Sequence, residues 1–490
     1  MTLTVALNSA RSSLMAAGTQ ASVVSRNIAG ATQDGYSRKN VLVSTLPGNG
    51  VYVAGIQRAS SAGLFYNVLK ASSTSAKQDA IYNGLQKIAA STIDDPQLDQ
   101  SPAAQIAKLK SALQQYATAP DNTTLAQAAV NAAKGVASSL NDATKTVQSV
   151  RSDADADMAT SVKTINELLA QFETVNTSIV KGTVAGSDIT DYLDLRDSIL
   201  SKLSQEVGIT VATRANNDTV IYTDSGVTLF ETKARSVTFD QTNAYTAGTT
   251  GNAVFIDGVP VTGASAVMPL HTGKLAGLAT LRDDAAVTYQ NQLDEIARGL
   301  VETFAESDQS GASLPDVPGL FTYPGAPAIP PSGLISAGLA GTIVVAPSVD
   351  QSVGGNPNLL RDGGISGNPA YVYNTTGSAG FFDRLQQLAD GLAASRAFDP
   401  AAMGKPNANL IDFAGSSTSW LESQRKSAND GATYSQTLLE RSAEAMSNVS
   451  GVNMDDEMSF MLQVERTFSA SSKVIATVDG MLKDLLAAVR

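Results

Sequence analysis

The two ends of this 490-residue chain carry the same seven-residue rhythm. Leu3, Leu7, Ala10, Leu14, Ala17, Ala21, Val24 and Ile28 follow one another at alternating steps of four and three. On a helix such positions fall on one narrow stripe, and a stripe kept up for nearly four repeats is a coiled-coil seam. At the other end Met454, Met461, Phe468, Ile475, Leu482 and Val489 recur every seven residues, with Val464, Ser471, Val478 and Leu485 as a second row. Ser471 alone breaks the apolar rule. Asn453 is a good N-cap, and Asp455, Asp456 and Glu457 lie in the first turn, where the helix dipole favours negative charge. The N-terminal helix is expected to fray near Gly30 and to end by Gly35.

Two heptad helices at opposite ends of one chain predict that they pair with each other, with the seven-residue row that contains Leu482 facing the N-terminal helix. Only Arg11 and Arg26 are charged within residues 1–28, whereas an exposed coiled coil carries flanking charges. A helix so poor in charge meets protein on several sides, which points to burial in an assembly.

Between the ends, residues 64–206 read as a series of helices. Ile106, Leu109, Leu113 and Tyr116 make one apolar stripe, and Val162, Ile165, Leu169, Phe172 and Ile179 make another. Near Val207 the pattern turns to short β-branched runs bounded by Gly, Asn and Asp, predicting an antiparallel β region over about 207–270. A helix is expected at 276–306. Exposed loops and short strands follow over 310–370, including a strand at 343–346, and helices return at 380–396 and 410–447. The predicted fold class is mainly α with a β-rich insertion. Its expected parts are a terminal coiled-coil domain (1–45 and 450–490), a helical rod domain (46–206 and 380–449) and a β- and loop-rich outer domain (207–379).

A net charge of −12 and the lack of basic clusters argue against nucleic-acid and membrane partners. The start of the chain lacks the basic and continuous apolar stretch of a cleaved signal, and no run is long enough to span a membrane. There is no cysteine, and His271 is the one histidine, so neither a zinc site nor a nucleophilic triad is indicated. Asp153, Asp155 and Asp157 alternate like the start of a calcium loop. Met158 stands where its glycine belongs and Thr164 where its glutamate belongs, so the reading is a solvated acidic helix start. Trp420 reads as a core residue. No catalytic residue, metal or cofactor is expected, and the chain reads as a non-enzyme.

Residues 27–38, NIAGATQDGYSR, resemble the N-V-A-N-A-N-T-P-G-Y-S-R segment of flagellar rod, hook and hook-associated axial proteins. Asn27, Ala29, Ala31, Gly35, Tyr36, Ser37 and Arg38 match outright, while Gly30, Thr32, Gln33 and Asp34 depart. The segment SGVNMDDEMSFMLQVERTFSASSKVIATVDGML near the C-terminus is similar to the other conserved end of these proteins. Three internal segments, at 48–58, 191–211 and 272–284, resemble the hook-associated protein 1 branch of that family, which forms the hook–filament junction.

The resemblance implies a structural subunit of the bacterial flagellum, needed for filament assembly and motility. It implies an extracellular position, reached through the flagellar type III channel without a cleaved signal peptide. The implied partners are further copies of the chain in a helical array, hook protein, hook-associated protein 3, and an export chaperone at the C-terminal region. The residues expected to carry assembly are Leu3, Leu7, Leu14, Val24, Ile28, Met461, Phe468, Ile475, Val478, Leu482 and Leu485. The motif residues are Asn27, Gly35, Tyr36, Ser37 and Arg38. Other readings are hook-associated protein 3, hook protein, a cytoplasmic coiled-coil scaffold, or a secreted enzyme with its site in the insertion.

Overall fold

The computed structural model describes residues 3–33, 35–46, 50–92, 100–325 and 328–488. Of the positions singled out above, Asp34, Gly48, Asn49 and Val489 lie outside these. The first helix, α1, runs Leu3–Gly30 and leads into a hairpin of β1 (Lys39–Leu46) and β2 (Gly50–Arg58). Four helices follow: α2 (Ala62–Thr92), α3 (Pro102–Thr118), α4 (Thr123–Ala185) and α5 (Thr190–Glu206). Two three-stranded antiparallel sheets come next, β3 (Ile209–Thr213) with β4 (Thr219–Thr223) and β5 (Thr228–Phe230), then β6 (Val237–Thr238) with β7 (Phe255–Ile256) and β8 (Val259–Pro260). Helix α6 (Lys274–Thr280) continues through a π turn into α7 (Ala286–Thr303).

Beyond α7 come β9 (Phe321–Thr322), α8 (Leu339–Thr342), β10 (Val344–Val345), α9 (Leu359–Asp362), α10 (Asp383–Gly391), β11 (Arg396–Ala397) and β12 (Asn407–Ala408). Two long helices close the chain, α11 (Leu410–Ser450) and α12 (Met454–Ala488).

The axis of the molecule is α4, 63 residues long, started by the side chain of Asn122 and stopped by Gly186 in the left-handed conformation. Its inward stripe runs from Ala126 to Ile179 and is covered in turn by α3, α2, α7, α8 and α5. The α3 stripe of Ile106, Leu109, Leu113 and Tyr116 is fully buried against it. Phe172 meets Phe230 of the first small sheet edge-on, with centroids 4.9 Å apart, tying the β region to the helix. Helix α11 lies along α2, and α12 lies along α1.

The predicted class therefore holds: paired terminal helices, a helical bundle and small antiparallel sheets. Three expectations need correction. The limit drawn at 45/46 cuts through the β1–β2 hairpin, which had no place in the reading because the pairing of two strands is a contact in space that neither strand's own spacing declares. Helices α6 and α7, assigned to the outer part, pack on α2, α4 and α11 within the bundle. The stretch 310–370 has the expected loops and short strands, with β10 inside the predicted 343–346, but it is exposed only in part, as at 311–316. Leu320, Phe321, Ile343, Val349 and Leu360 are buried, so isolated apolar residues anchor a chain whose turns are made by Gly and Pro.

The acidic run is corrected too. Asp153, Asp155 and Asp157 sit mid-way along α4, and Asp155 is fully buried against Arg282 of the π turn. His271 is exposed, and Trp420 is half-buried against the core.

Candidate functional site: the root of the terminal helices

Pairing of the chain ends is antiparallel: Asn27 near the end of α1 meets Glu457 in the first turn of α12. Along α1 the buried residues are Ala10, Ala16, Ala17, Val23, Val24, Asn27 and Gly30, and along α12 they are Glu457, Val464, Ser471 and Val478. The seam is thus made largely of small side chains. Leu7, Leu14, Ile28, Met461 and Ile475 are half-buried at its margins, and Leu3 is exposed.

The first of the two α12 rows was expected to face α1. Instead, the second row lies deepest at Val464, Ser471 and Val478, while Phe468 and Leu482 of the first row are 46% and 37% exposed; Leu485, the last of the second row, is 63% exposed near the tip. A short serine lets the backbones approach where a phenylalanine would hold them apart. Met458, Leu462, Val474, Met481 and Leu486 are also exposed, so α12 presents apolar flanks on both sides of its seam.

The motif residues meet at the root of this pair. After α1 the chain turns through Gly35, whose φ of +77° suits glycine. The Tyr36 ring then lies on Gly30 so closely that a Cβ there would stand 2.6 Å from it. Asn27, 1% exposed, uses all four of its hydrogen-bonding positions. Its Oδ1 accepts from the Tyr36 hydroxyl (3.0 Å) and the Lys39 N–H (2.9 Å), and its Nδ2 donates to the Lys39 carbonyl (2.9 Å) and to Glu457 Oε2 (3.0 Å). Arg38 Nε donates to Glu457 Oε1 at 2.6 Å, and the Arg38 N–H donates to the carbonyl of Ser450 at the end of α11. Ser37 is buried, its N–H directed at Asp194. Asn453 caps α12 by accepting from the N–H groups of Asp455 and Asp456.

A row of acids leading into and along α5 holds this root to the bundle. Asp188 lies just before the helix, and Asp191, Asp194 and Asp197 follow on it at every third residue, which places neighbours on one helical face. Facing them, Arg26 pairs with Asp188 and Asp191, Lys39 with Asp191 and Asp194, and Arg58 with Asp194 and Asp197. The Lys39 side chain is fully enclosed, its ammonium also 3.7 Å from the centroid of the Tyr36 ring. Burial works against its charge, but the bonds to Asp194 and Asp191 outweigh that and hold its pKa above the ordinary lysine value. Burial likewise opposes the charge of Asp188 and Asp191, yet the bonds to Arg26, Thr190 and Lys39 hold both below the usual carboxylate range. Asp197 goes the other way, its burial outweighing Arg58.

Sequence reading missed this row. Its signal was present as an aspartate at every third position, but which cations answer it depends on residues more than a hundred positions away. Among the described residues, no group of three His, Cys, Asp or Glu side chains is arranged to hold a metal, and no helix is long and apolar enough to cross a membrane. The site is built to hold chain segments together.

Residues 96–321 match the model of the flagellar hook-associated protein FlgK helical domain, and residues 443–488 match that of the flagellar basal body rod FlgEFG protein C-terminal segment. Flagellar hook-associated protein 1 of Escherichia coli (strain K12) is 27% identical over 323 residues, 62% of this chain and 57% of that protein. The protein of the same name from Salmonella typhimurium is 26% identical over 62% of this chain and 56% of its own length. That of Bacillus subtilis is 20% identical over 98% of this chain and 97% of its own. The chain thus spans a little over half the length of the two enterobacterial relatives. Among solved structures, the flagellar hook junction protein FlgK from Burkholderia pseudomallei is similar over 53% of this chain and 46% of its own, at 20% identity and a TM-score of 0.42.

Proposed function

We propose, from its similarity to flagellar hook-associated protein 1, that this chain is a structural subunit at the junction between hook and filament of the bacterial flagellum. The observation that carries the reading is the antiparallel pair of chain ends, tied to the bundle at its root and apolar on both flanks of α12. Apolar flanks of that extent are unfavourable in water and favour burial against neighbours. A helical array of copies would supply them, with Val24 and Val478 in the seam holding each pair, Leu7, Leu14, Ile28, Met461 and Ile475 flanking it, and Leu3, Phe468, Leu482 and Leu485 available to neighbours.

On this reading the partners are further copies, hook protein on one side and hook-associated protein 3 on the other. An export chaperone would shield the apolar C-terminal region before secretion through the flagellar type III channel. The role is mechanical, with no catalysis or cofactor. The proposed parts are the terminal helix pair, the helical rod around α4, now including α6 and α7, and an outer part built on the small sheets.

Deletion of the gene tests it. Electron microscopy is expected to show hooks without filaments, with flagellin released into the medium. Normal filaments on a deletion strain would overturn the junction role.

A further inference from the structure

We propose that Lys39, Asn27 and Glu457 form a relay that makes docking of α12 depend on the seating of residues 35–39 on α5. No hydrogen bond or ion pair joins Lys39 to α12 among the described residues, so the dependence is indirect.

The chain of contacts runs as follows from α5 outward. The Lys39 ammonium is enclosed, and Asp191 and Asp194 at 2.9 Å each are its carboxylate partners. That pins the backbone of Lys39 to the bundle. The peptide groups of Lys39 in turn fix the rotation of the Asn27 amide, because its N–H needs the amide oxygen and its carbonyl needs the amide nitrogen. The Tyr36 hydroxyl reinforces the same rotation from the oxygen side. One N–H of Asn27 is left, and it points at Glu457 Oε2.

The second donor to Glu457 is Arg38, the residue next to Lys39. Both donors that satisfy this carboxylate therefore sit where Lys39 places them. Glu457 is 1% exposed, and a carboxylate enclosed to that degree is tolerated only while its donors are present. The rest of the α1–α12 seam is made largely of small side chains such as Ala10, Ala17 and Ser471, with valines such as Val24, Val464 and Val478 as its larger buried members, so each residue there buries modest apolar area. The root consequently has a large share in deciding whether α12 stays docked. Lys39 acts here as a positioning residue, and the consequence is an ordered sequence: the 35–39 segment seats on α5, Asn27 is oriented, and α12 closes.

Hydrogen exchange on the purified full chain tests the relay, comparing wild type, Lys39→Met, Glu457→Gln and the double variant. Methionine keeps the stem of Lys39 and removes its charge. Glutamine leaves one of the two donors facing an amide nitrogen instead of an acceptor. Each single variant is expected to lower protection of amides 457–471 by about tenfold or more, the scale of losing hydrogen bonds to a charged group. The double variant is expected to lose no more than the worse single one, since both break one relay. Amides of α4 should keep wild-type protection.

The relay is overturned if Lys39→Met loosens residues 35–58 and leaves 457–471 at wild-type protection. It is equally overturned if the two losses add, or if 457–471 is unprotected in the wild type. Should Lys39→Met also expose α4, Asp191→Asn takes its place, removing one of the two carboxylates from the exposed side, with the same expectation. Filament counts on the deletion strain bear only on the junction role, so either conclusion can fail while the other stands.

Discussion

Asp155 and Arg282 lie 127 positions apart in the chain and face each other at 2.5 Å, with neither side chain exposed. The pair joins the middle of α4 to the π turn before α7. Asp155 also accepts from the Thr242 N–H and the Tyr245 hydroxyl, each at 2.7 Å, and Arg282 donates to the Asn252 carbonyl. The loop from β6 to β7 is thereby fastened to the bundle by a polar knot in which Arg151 also takes part, donating to the carbonyls of Thr246, Thr249 and Arg282.

Breaking one side of a buried pair strands the other charge. Asp155→Ala is expected to cost about 3 kcal/mol in a denaturant melt, moderated because Arg282 keeps Asp283 as a partner. Asp153→Ala, two residues away but paired with Lys87 at the surface, should change stability by about 0.5 kcal/mol or less. Equal effects at the two positions would show that burial is not what distinguishes them.

Asp294 gives a pH dependence of defined sign. Burial pushes its pKa up to about 6, against the N–H donors of Gly338 and Ala340 and the amide of Gln290. A carboxyl raised in the fold holds a proton that the unfolded chain has already released between about pH 4 and pH 6. Its contribution to stability therefore falls as pH rises through that window, by an amount on the order of 2–3 kcal/mol. The difference in unfolding free energy between wild type and Asp294→Asn, followed from pH 4 to 7, should change by that order. A difference independent of pH would mean that Asp294 ionises as an ordinary aspartate.

Gly30 and Tyr36 make a steric prediction. Gly30→Ala forces the Tyr36 ring off α1 and breaks its bond to Asn27, which should cost roughly 1–3 kcal/mol, as overpacking does. Adding Tyr36→Ala removes the clash, so the thermal melt of the double variant should lie no lower than that of Tyr36→Ala alone. A further drop on adding Gly30→Ala to Tyr36→Ala would place the strain elsewhere.

Two positions four residues apart on α12 separate folding of the chain from assembly. Val478 is 5% exposed in the seam, and Leu482 is 37% exposed near the tip. Val478→Asp should undo protection of the outer half of α12 in the free chain, because an unpaired carboxylate there costs several kcal/mol, on the order of 3 or more. Leu482→Asp should leave the melt of the bundle unchanged and reduce filament number in cells. Normal motility with Leu482→Asp would mean that this flank stays in water in the assembled state.

What the sequence by itself determined is everything carried by local periodicity. The heptads at both ends, the α3 stripe from Ile106 to Tyr116, the α4 stripe from Val162 to Ile179 and the short β-branched runs after Val207 all follow from spacing along the chain. A helix or strand turns such spacing into a face without reference to anything distant. The motif positions Asn27 and Gly35 to Arg38 were legible as a match, though not as a hydrogen-bonded cluster. Only the tertiary structure decided which heptad row lies deepest, because Phe468 and Ser471 both fit the seven-residue repeat and the choice rests on how closely α1 approaches. It alone distinguished Asp155 from Asp153, and it alone brought Lys39 and Arg58 to the aspartates of α5 and Glu457 to Asn27. The reason is physical: an ion pair or a buried hydrogen bond is a relation between two places in space, and a chain that folds back on itself leaves no regular interval by which the partners announce each other.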